Sequence, residues 1–465
     1  MSLKPLKINI LPQVPPLKKL IGPSFILLGL GLGSGEIILW PYLTSNFGMG
    51  IIWGALLGIT FQFFMNMEIE RYALVYGESV FVGLARKFRW ITFWFLISTF
   101  VPFVWPGIAA SSAVLFGTVL GIENTRNLSI IFLIIMGLIL SLGPILYKTV
   151  ESFQKILISI GVPTIFILSL ILAKSTDWAD LARGVVGIGD GYLFLPEGIA
   201  IASFLAAFAY SGAGGNLNLA QAFYIREKGY GMGKYAGRIT SLITGKKEKV
   251  SLTGTKFELN QRNIESFRKW WRNINIEHFT IFLLIGGISI LLLGLLSYST
   301  VFAMEGNIQG INFVISEGRV IGEMIFPAVG TFFLLVASLA LFGTQLTVYD
   351  ATSRILTENT VISAYPKLNE RHIQKIYYLV LWLQIIGGVV IFLGGFTEPL
   401  QLLVLAAVLN AFAMFIHIGL TLWLNLTSLA KPLRPSYFRI AMMIFAFLFY
   451  GGFSFYLIYE RFFKV

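Results

Sequence analysis

Eleven long apolar segments dominate this chain of 465 residues and decide what it can fold into. They lie at about 22–46, 50–69, 91–119, 128–147, 153–173, 199–225, 278–299, 325–349, 373–395, 398–424 and 436–459. A helix needs about 20 apolar residues to cross a bilayer. Only 12% of the residues are charged, against roughly 25% in a soluble domain. We therefore predict an all-α polytopic membrane protein with about eleven transmembrane helices, in contact with the lipid bilayer.

The charge distribution predicts how these segments are oriented. A formal net charge of +12 would suggest a nucleic-acid partner in a soluble protein. Here, however, 29 of the 35 Lys and Arg residues fall on the side that a cytoplasmic N-terminus defines. That bias is the positive-inside rule of membrane proteins. We expect a multi-pass integral protein of the plasma membrane, with a cytoplasmic N-terminus and no nucleic-acid partner.

Two of the apolar segments, the first and the sixth, are interrupted by glycines. Segment one contains Gly29-Leu-Gly-Leu-Gly-Ser-Gly-Glu36, and segment six contains Tyr210-Ser-Gly-Ala-Gly-Gly-Asn216. The interruptions lie five segments apart, so the second half would enter the membrane in the opposite orientation. Paired interruptions in an inverted repeat mark the binding site of many transporters. The pattern predicts a 5+5 inverted repeat with broken helices 1 and 6.

The segments divide the chain into a tail, two repeats and an additional helix. We place the cytoplasmic tail at 1–20, the first repeat at 21–175, the second repeat at 199–425 and helix 11 at 436–465. The second repeat includes a cytoplasmic loop, 226–277, whose distal part mixes aromatic and basic residues. Two interpretations of that part stay open: an amphipathic helix on the inner leaflet, or a solvated basic connector.

Polar residues at and near the interruptions are the candidate binding site. Glu36 is a carboxylate in an apolar segment, where an ionised group costs about 2.5–3.5 kcal/mol on insertion scales. It is a ligand for a substrate or proton, a cap on the second half-helix, or both. Asn216 is equally a ligand or an N-cap. Asn410, in segment ten, and Gln345, in segment eight, are further candidates to line the path.

Other polar residues within the segments have structural interpretations. His417 is predicted to make an interhelical hydrogen bond more readily than to carry protons. Asp350 and Arg354 are spaced as an i, i+4 pair near the inner surface. Gln62 is predicted to be a helix-packing contact.

The sequence offers no set of residues for enzymatic chemistry. It has no cysteine and three histidines, which argues against thiol catalysis and against a histidine metal site. No HExxH, GxSxG or phosphate-loop motif occurs. We expect neither an enzyme nor a bound cofactor.

Several motifs resemble those of the Nramp family of metal-ion transporters. Gly22-Pro23 lies as far from Gly33-Ser-Gly-Glu36 as the family's opening Gly-Pro lies from its Asp-Pro-Gly-Asn motif. Ser45-Asn-Phe-Gly48 and Trp53-Gly-Ala-Leu-Leu57 resemble the family's passage into its second span. Asn216-Leu217 resembles the stretch after the family's Met-Pro-His. The resemblance covers nearly the whole chain and implies the inverted-repeat fold of the leucine transporter, with transport by alternating access.

The departures from the family's motifs bear on the substrate. The resemblance places the family's Asp-Pro-Gly-Asn on Gly33, Ser34, Gly35 and Glu36, and its Met-Pro-His on Ala213, Gly214 and Gly215. The position whose carbonyl faces the metal falls on Tyr210, and the polar position of helix 10 on or near Asn410. The soft thioether is therefore lost, which argues against a standard Mn²⁺ or Fe²⁺ site and leaves a harder cation open. Segment three has no Asp or Glu, so the family's proton route is not preserved.

The leading hypothesis is transport of a divalent cation held by Glu36, Asn216 and backbone carbonyls. Transport of a small organic solute is the second hypothesis, because the glycines leave room and half-helix ends hold charged groups. The third is a receptor or scaffold without transport, acting through its basic loop.

Overall fold

The computed structural model describes residues 3–245, 248–305, 307 and 310–463. Within these residues, ten continuous helices are long and apolar enough to cross a membrane. The sixth predicted segment adds an eleventh, discontinuous span, so the predicted arrangement of an all-α polytopic membrane protein is confirmed. The spans are 1, Pro23–Phe47; 2, Met49–Tyr76; 3, Ile91–Leu120; 4, Thr125–Leu142; 5, Leu146–Leu172; 6, Ile201–Ala209, Asn216–Leu219 and Gln221–Lys228; 7, Gln261–Val301; 8, Pro327–Ser363; 9, Glu370–Leu393; 10, Pro399–Ser428; and 11, Tyr437–Tyr459.

Shorter elements connect the spans. The side of the membrane on which span 1 begins is called the tail face below. Helices outside the spans are Val80–Lys87, Ser175–Gly184 and Asn312–Met324; 3-10 turns are Leu17–Lys19, Met49–Ile51, Gly231–Tyr235, Glu370–His372 and Lys431–Leu433; and two short strands are β1, Lys7–Ile8, and β2, Thr255–Lys256.

Span 1 lies at the centre of the bundle. Its most apolar window is 94% buried, whereas the corresponding windows of spans 5 and 11 are 28% buried. The predicted interruption of this span takes the form of a π-helical turn, Ser34–Leu39, and not of an unwound loop. A π turn widens the helix and leaves its backbone bonds in place. Span 1 therefore crosses the membrane as one helix with a local defect.

Span 6 is broken outright, as predicted. Its first helix ends at Ala209, and the next begins at Asn216. The chain passes from one helix to the next through Gly214 and Gly215, whose φ values are +76° and +54°. Residues with a Cβ rarely adopt that left-handed conformation, so these two glycines make the break possible.

The loop of residues 226–277 packs against the protein. Strand β2 pairs in parallel with β1 of the N-terminal tail. Helix Gln261–His278 runs without interruption into the membrane part of span 7. Its aromatic face is turned inward: Trp270 is 2% exposed and donates a hydrogen bond to the Pro12 carbonyl oxygen at 2.8 Å. The predicted amphipathic helix is therefore present, and its apolar side chains pack on the protein, so the segment is not a solvated connector. Its position on the inner leaflet stays a prediction.

Candidate functional site

The π turn of span 1 crosses the break of span 6 at direct backbone contact. A Cβ added to Gly31 would lie 3.0 Å from the Cα of Gly212. A Cβ added to Gly35 would overlap the carbonyl oxygen of Tyr210, well inside the 3.0 Å that real Cβ atoms keep. Gly31 and Gly35 are therefore explained by the close approach of span 6.

Span 10 adds a side-chain amide to the crossing. Asn410 is fully buried and donates hydrogen bonds to the Tyr210 hydroxyl at 2.9 Å and to the Ala406 carbonyl at 3.0 Å. Its Oδ1 has no hydrogen-bond partner among the described residues. That oxygen lies against Gly215, where a Cβ would overlap it. The predicted residues Tyr210 and Asn410 are thus brought together at the break.

Asn216 begins the helix after the break and is tied to span 3. Its Nδ2 donates to the Ser98 Oγ at 3.0 Å and to the Thr99 hydroxyl. Its Oδ1 has no partner among the described residues, and neither polar atom of the buried Asn218 has one. Unsatisfied buried polar atoms are rare in native structures and call for an explanation. Three amide oxygens around the break (Asn216, Asn218 and Asn410) are therefore available to a ligand.

Glu36 lies in the π turn and is turned toward spans 2 and 7. It is fully buried, and neither carboxylate oxygen has a hydrogen-bond partner among the described residues. A Cβ added to Gly286 would lie 3.8 Å from its Oε1 and 2.9 Å from the Ile59 Cδ1. No hydrogen bond joins Glu36 to Asn216 in the described part of the chain. The two predicted metal ligands thus flank the same crossing without touching.

The remaining predicted residues are buried in spans 1, 6 and 8. A Cβ added to Gly33 would overlap the side chain of Thr344, whose hydroxyl donates to the Gly29 carbonyl at 2.7 Å. Gln345, next in span 8, is 2% exposed. Ser34 and Ala213 are buried. Gly214 packs against the ring of Tyr210.

Gln62 of span 2 bridges the break in span 6. Its Nε2 donates to the Ala209 carbonyl at 2.9 Å, and its Oε1 accepts from the Gly214 amide at 3.0 Å. One side chain therefore satisfies backbone groups on both sides of the break. The interpretation of Gln62 as a helix-packing contact is confirmed, although its two backbone partners were not predicted. The signal was a carboxamide in an apolar helix, which must find polar partners inside.

We expect Gln62→Leu to destabilise the protein. The substitution removes both partners from buried backbone groups, each worth about 1–3 kcal/mol when left unsatisfied. The melting temperature in detergent should fall clearly. Gln401→Leu, at an exposed position of span 10, is the matched control and should melt like the wild type. Equal melting temperatures for the two variants would contradict the bridging role.

Two structural interpretations from the sequence are confirmed. The Nε2 of His417 accepts a hydrogen bond from the Trp94 indole at 3.0 Å, which links spans 10 and 3. Asp350 pairs with the Arg354 Nε at 2.9 Å from each carboxylate oxygen. The Asp350 pair is part of a larger buried group, because Arg354 also contacts Glu227 at the end of span 6.

Comparison with known proteins places the fold. No family model and no curated protein matches the sequence. Crystal structures of variants of the Eremococcus coleocola manganese transporter match 99% of this chain and 91% of theirs, with a TM-score of 0.72 and 13–14% identity. The structure of MhsT in complex with L-phenylalanine matches 94% of this chain and 98% of its own, with a TM-score of 0.50 and 14% identity.

The chain has the leucine-transporter fold. It is an integral, multi-pass membrane protein, as the apolar segments predicted. The likeness is strong in architecture and weak in sequence, so the fold implied by the resemblance to Nramp transporters is confirmed. In this fold the π turn of span 1 and the break of span 6 meet at one buried crossing.

Proposed function

We propose that the chain is a secondary transporter that moves a cation across the plasma membrane by alternating access. The observation that carries the proposal is the set of buried amide oxygens without partners at the break in span 6, those of Asn216, Asn218 and Asn410. A cation held at the break would find oxygen ligands among these groups. Under this proposal the tail face is cytoplasmic, in agreement with the distribution of Lys and Arg.

The donor types favour a hard cation. The available groups are amide and backbone carbonyl oxygens with one carboxylate nearby, and oxygen ligands suit Mg²⁺, Ca²⁺ and Mn²⁺. The chain has no cysteine, and among the described residues no three His, Asp or Glu side chains are arranged so that they could hold a metal ion. A bound ion would therefore keep part of its water shell. This argues for a divalent cation of modest affinity over a tightly caged metal.

Glu36 supplies the negative charge that such an ion requires. Its carboxylate is buried in the π turn with no positive partner among the described residues. A buried ionised group without a partner is costly, so a cation at the crossing and this carboxylate would stabilise each other. The carboxylate lies on the side of spans 2 and 7. To reach an ion at the crossing, the Glu36 side chain must therefore rotate toward span 6.

Cation uptake into proteoliposomes tests the proposal. We expect the wild type to take up at least one of Mn²⁺, Mg²⁺ and Ca²⁺. Glu36→Gln should reduce that uptake at least about tenfold, the cost of roughly 1.4 kcal/mol in binding. Glu258→Gln, which removes an exposed carboxylate, is the control and should transport normally. The absence of uptake of every cation by the wild type would refute the proposal.

The alternatives are separated by ligand binding. If the chain transports an organic solute, an amino acid or organic anion should raise the melting temperature in detergent while no cation does. If it is a receptor or scaffold, neither class of ligand should be transported. Stabilisation by a divalent cation that is lost in Asn216→Ala would support the cation site.

A further inference from the structure

A second buried polar cluster lies at the tail-face end of span 1, away from the crossing. It joins Ser24 in span 1 to Glu277 and His278 in span 7. The Ser24 hydroxyl is hydrogen bonded to the Glu277 carboxylate and lies 2.7 Å from the His278 Nδ1. The Gly22 amide also donates to the Glu277 Oε1 at 3.3 Å. One hydroxyl therefore stands between a carboxylate and an imidazole.

The cluster extends to spans 2 and 6 through a second carboxylate. The His278 Nδ1 lies 3.4 Å from the Glu70 Oε1, which accepts a hydrogen bond from the Gln221 Nε2 at 2.7 Å. The imidazole is stacked between the rings of Phe63 and Phe282, with centroid distances of 5.6 and 4.8 Å. The rings hold the imidazole in place, so its Nδ1 stays within reach of Ser24 and Glu70.

The charged and titratable groups around the cluster are engaged with one another. Arg439 of span 11 and Arg71 of span 2 pair with Glu68. Lys228, at the end of span 6, pairs with Glu151 of span 5. Among the described residues no Lys or Arg forms an ion pair with Glu70 or Glu277. Tyr147 and Tyr230 also face this region.

This lack of a basic partner makes the cluster favour a proton. Glu70 and His278 are fully buried and Glu277 is 6% exposed. Glu70 lies next to the His278 imidazole, and Glu277 is joined to the same ring through Ser24. Two carboxylates in one low-dielectric site repel each other when both are ionised, so the pair is stabilised by sharing a proton. The imidazole between them is the side chain best suited to pass it on.

The heavy-atom geometry accommodates two positions of that proton. In one, Glu277 is ionised and His278 is a cationic imidazolium; the Ser24 hydroxyl donates to Glu277, and the Nδ1–H of His278 donates to the Ser24 oxygen. In the other, Glu277 is protonated and donates to the Ser24 oxygen, and the Ser24 hydroxyl donates to the Nδ1 of a neutral His278 that keeps its Nε2–H. Moving between them requires only that each hydrogen shift along its own bond. The chain of three groups is therefore a path for a proton.

We propose that Ser24, Glu70, Glu277 and His278 form a proton-binding site that exchanges protons with the compartment on the tail face. Glu277 of span 7 is the most exposed of the three titratable groups and lies beside the tail-face end of span 1. It therefore receives the proton from water. Ser24 and His278 pass the proton inward to Glu70. The site is distinct from the crossing of spans 1 and 6.

The site also bears on coupling, a part of the inference that rests on the proposed transport of a cation. It ties spans 1, 2, 6 and 7 together at their tail-face ends. Protonation of Glu277 weakens the acceptor that holds the Gly22 amide and Ser24, the first turn of span 1. Proton occupancy would thus control how firmly span 1 is anchored.

Infrared difference spectra of the purified protein test the site without any transported ion. On acidification the wild type should gain the carbonyl band of a buried carboxylic acid. That band should be lost in Glu277→Gln or in Glu70→Gln. Ser24→Ala should keep the band but shift its midpoint by about one pH unit, a tenfold change in proton affinity. Each variant is first checked for wild-type elution on size exclusion, and Glu258→Gln is the matched control.

The outcomes decide the inference in either direction. Spectra of Glu277→Gln and Glu70→Gln that match the control would overturn the site, and an unshifted Ser24→Ala would overturn the relay. Where Glu70→Gln does not fold, Glu277→Gln and Ser24→Ala still decide it. In proteoliposomes with a trapped pH dye, cation uptake should move protons in the wild type and not in Glu277→Gln. If the infrared result is positive but no cation is taken up, only the proposed function is refuted. If cations are taken up without proton movement, only the coupling role is refuted.

Discussion

Gly35→Ala is expected to abolish transport. A methyl group at this position would overlap the Tyr210 carbonyl oxygen, which belongs to the rigid backbone at the start of the break in span 6. Spans 1 and 6 would have to move apart, and the loss of close packing costs about 1–3 kcal/mol or more. Uptake by proteoliposomes and the melting temperature in detergent are the measurements, and both should fall sharply.

The matched control for this variant is Gly452→Ala. Gly452 also lies inside a transmembrane helix, but a Cβ there would meet nothing within 4 Å. Alanine is favoured over glycine in a helix by up to about 1 kcal/mol, so this control should be as stable as the wild type or slightly more so. Wild-type uptake by Gly35→Ala would show that the backbone crossing of spans 1 and 6 is not needed.

Arg354→Met should produce the largest loss of stability outside the crossing. Arg354 is 1% exposed and pairs with Asp350 in its own span and with Glu227 at the end of span 6. The Tyr377 hydroxyl donates to the Asp350 Oδ1 at 2.7 Å. Removing the guanidinium leaves two carboxylates uncompensated. Breaking such a buried group costs about 3–5 kcal/mol, and the melting temperature should fall accordingly.

A compensated variant separates this charge effect from loss of packing. The triple variant Glu227→Gln, Asp350→Asn, Arg354→Met keeps the shapes of the side chains and removes every charge of the group. It should recover most of the stability lost in Arg354→Met, because no ion is left unpaired. Arg268→Met, at an exposed position, should have little effect. A triple variant as unstable as the single one would show that packing, and not charge, is what Arg354 provides.

Most of the fold could be predicted from the sequence, because a bilayer limits the solutions. Apolar length identifies a spanning helix almost directly. The glycines at Gly214 and Gly215 identified the break in span 6. The same reasoning could not predict that span 1 would stay continuous through a π turn. Glycine spacing indicates that another backbone approaches closely, but it does not indicate whether the helix breaks or widens there.

The site could be located from the sequence more easily than it could be described. Tyr210 and Asn410 were predicted as members and lie in contact. The direction of Glu36 could not be predicted, since one extra residue in a π turn changes the face that a side chain presents. Gln62 was predicted to be a packing contact, but its two partners could not be predicted, because they are backbone groups freed by a break in a distant span. Such partners leave no mark near Gln62 in the sequence.

The two π-helical segments have a mechanical consequence. One lies in span 1 at Ser34–Leu39, and the other in span 7 at Phe279–Ile285, where it adjoins Gly286 beside Glu36. Each segment stores one surplus residue within an unbroken helix. When such a surplus migrates along the helix, the residues it passes turn by about 100° and advance by about 1.5 Å. Migration of either surplus residue would therefore rotate and translate part of its span. Spans 1 and 7 could slide past each other in this way while each stays a continuous helix inside the membrane.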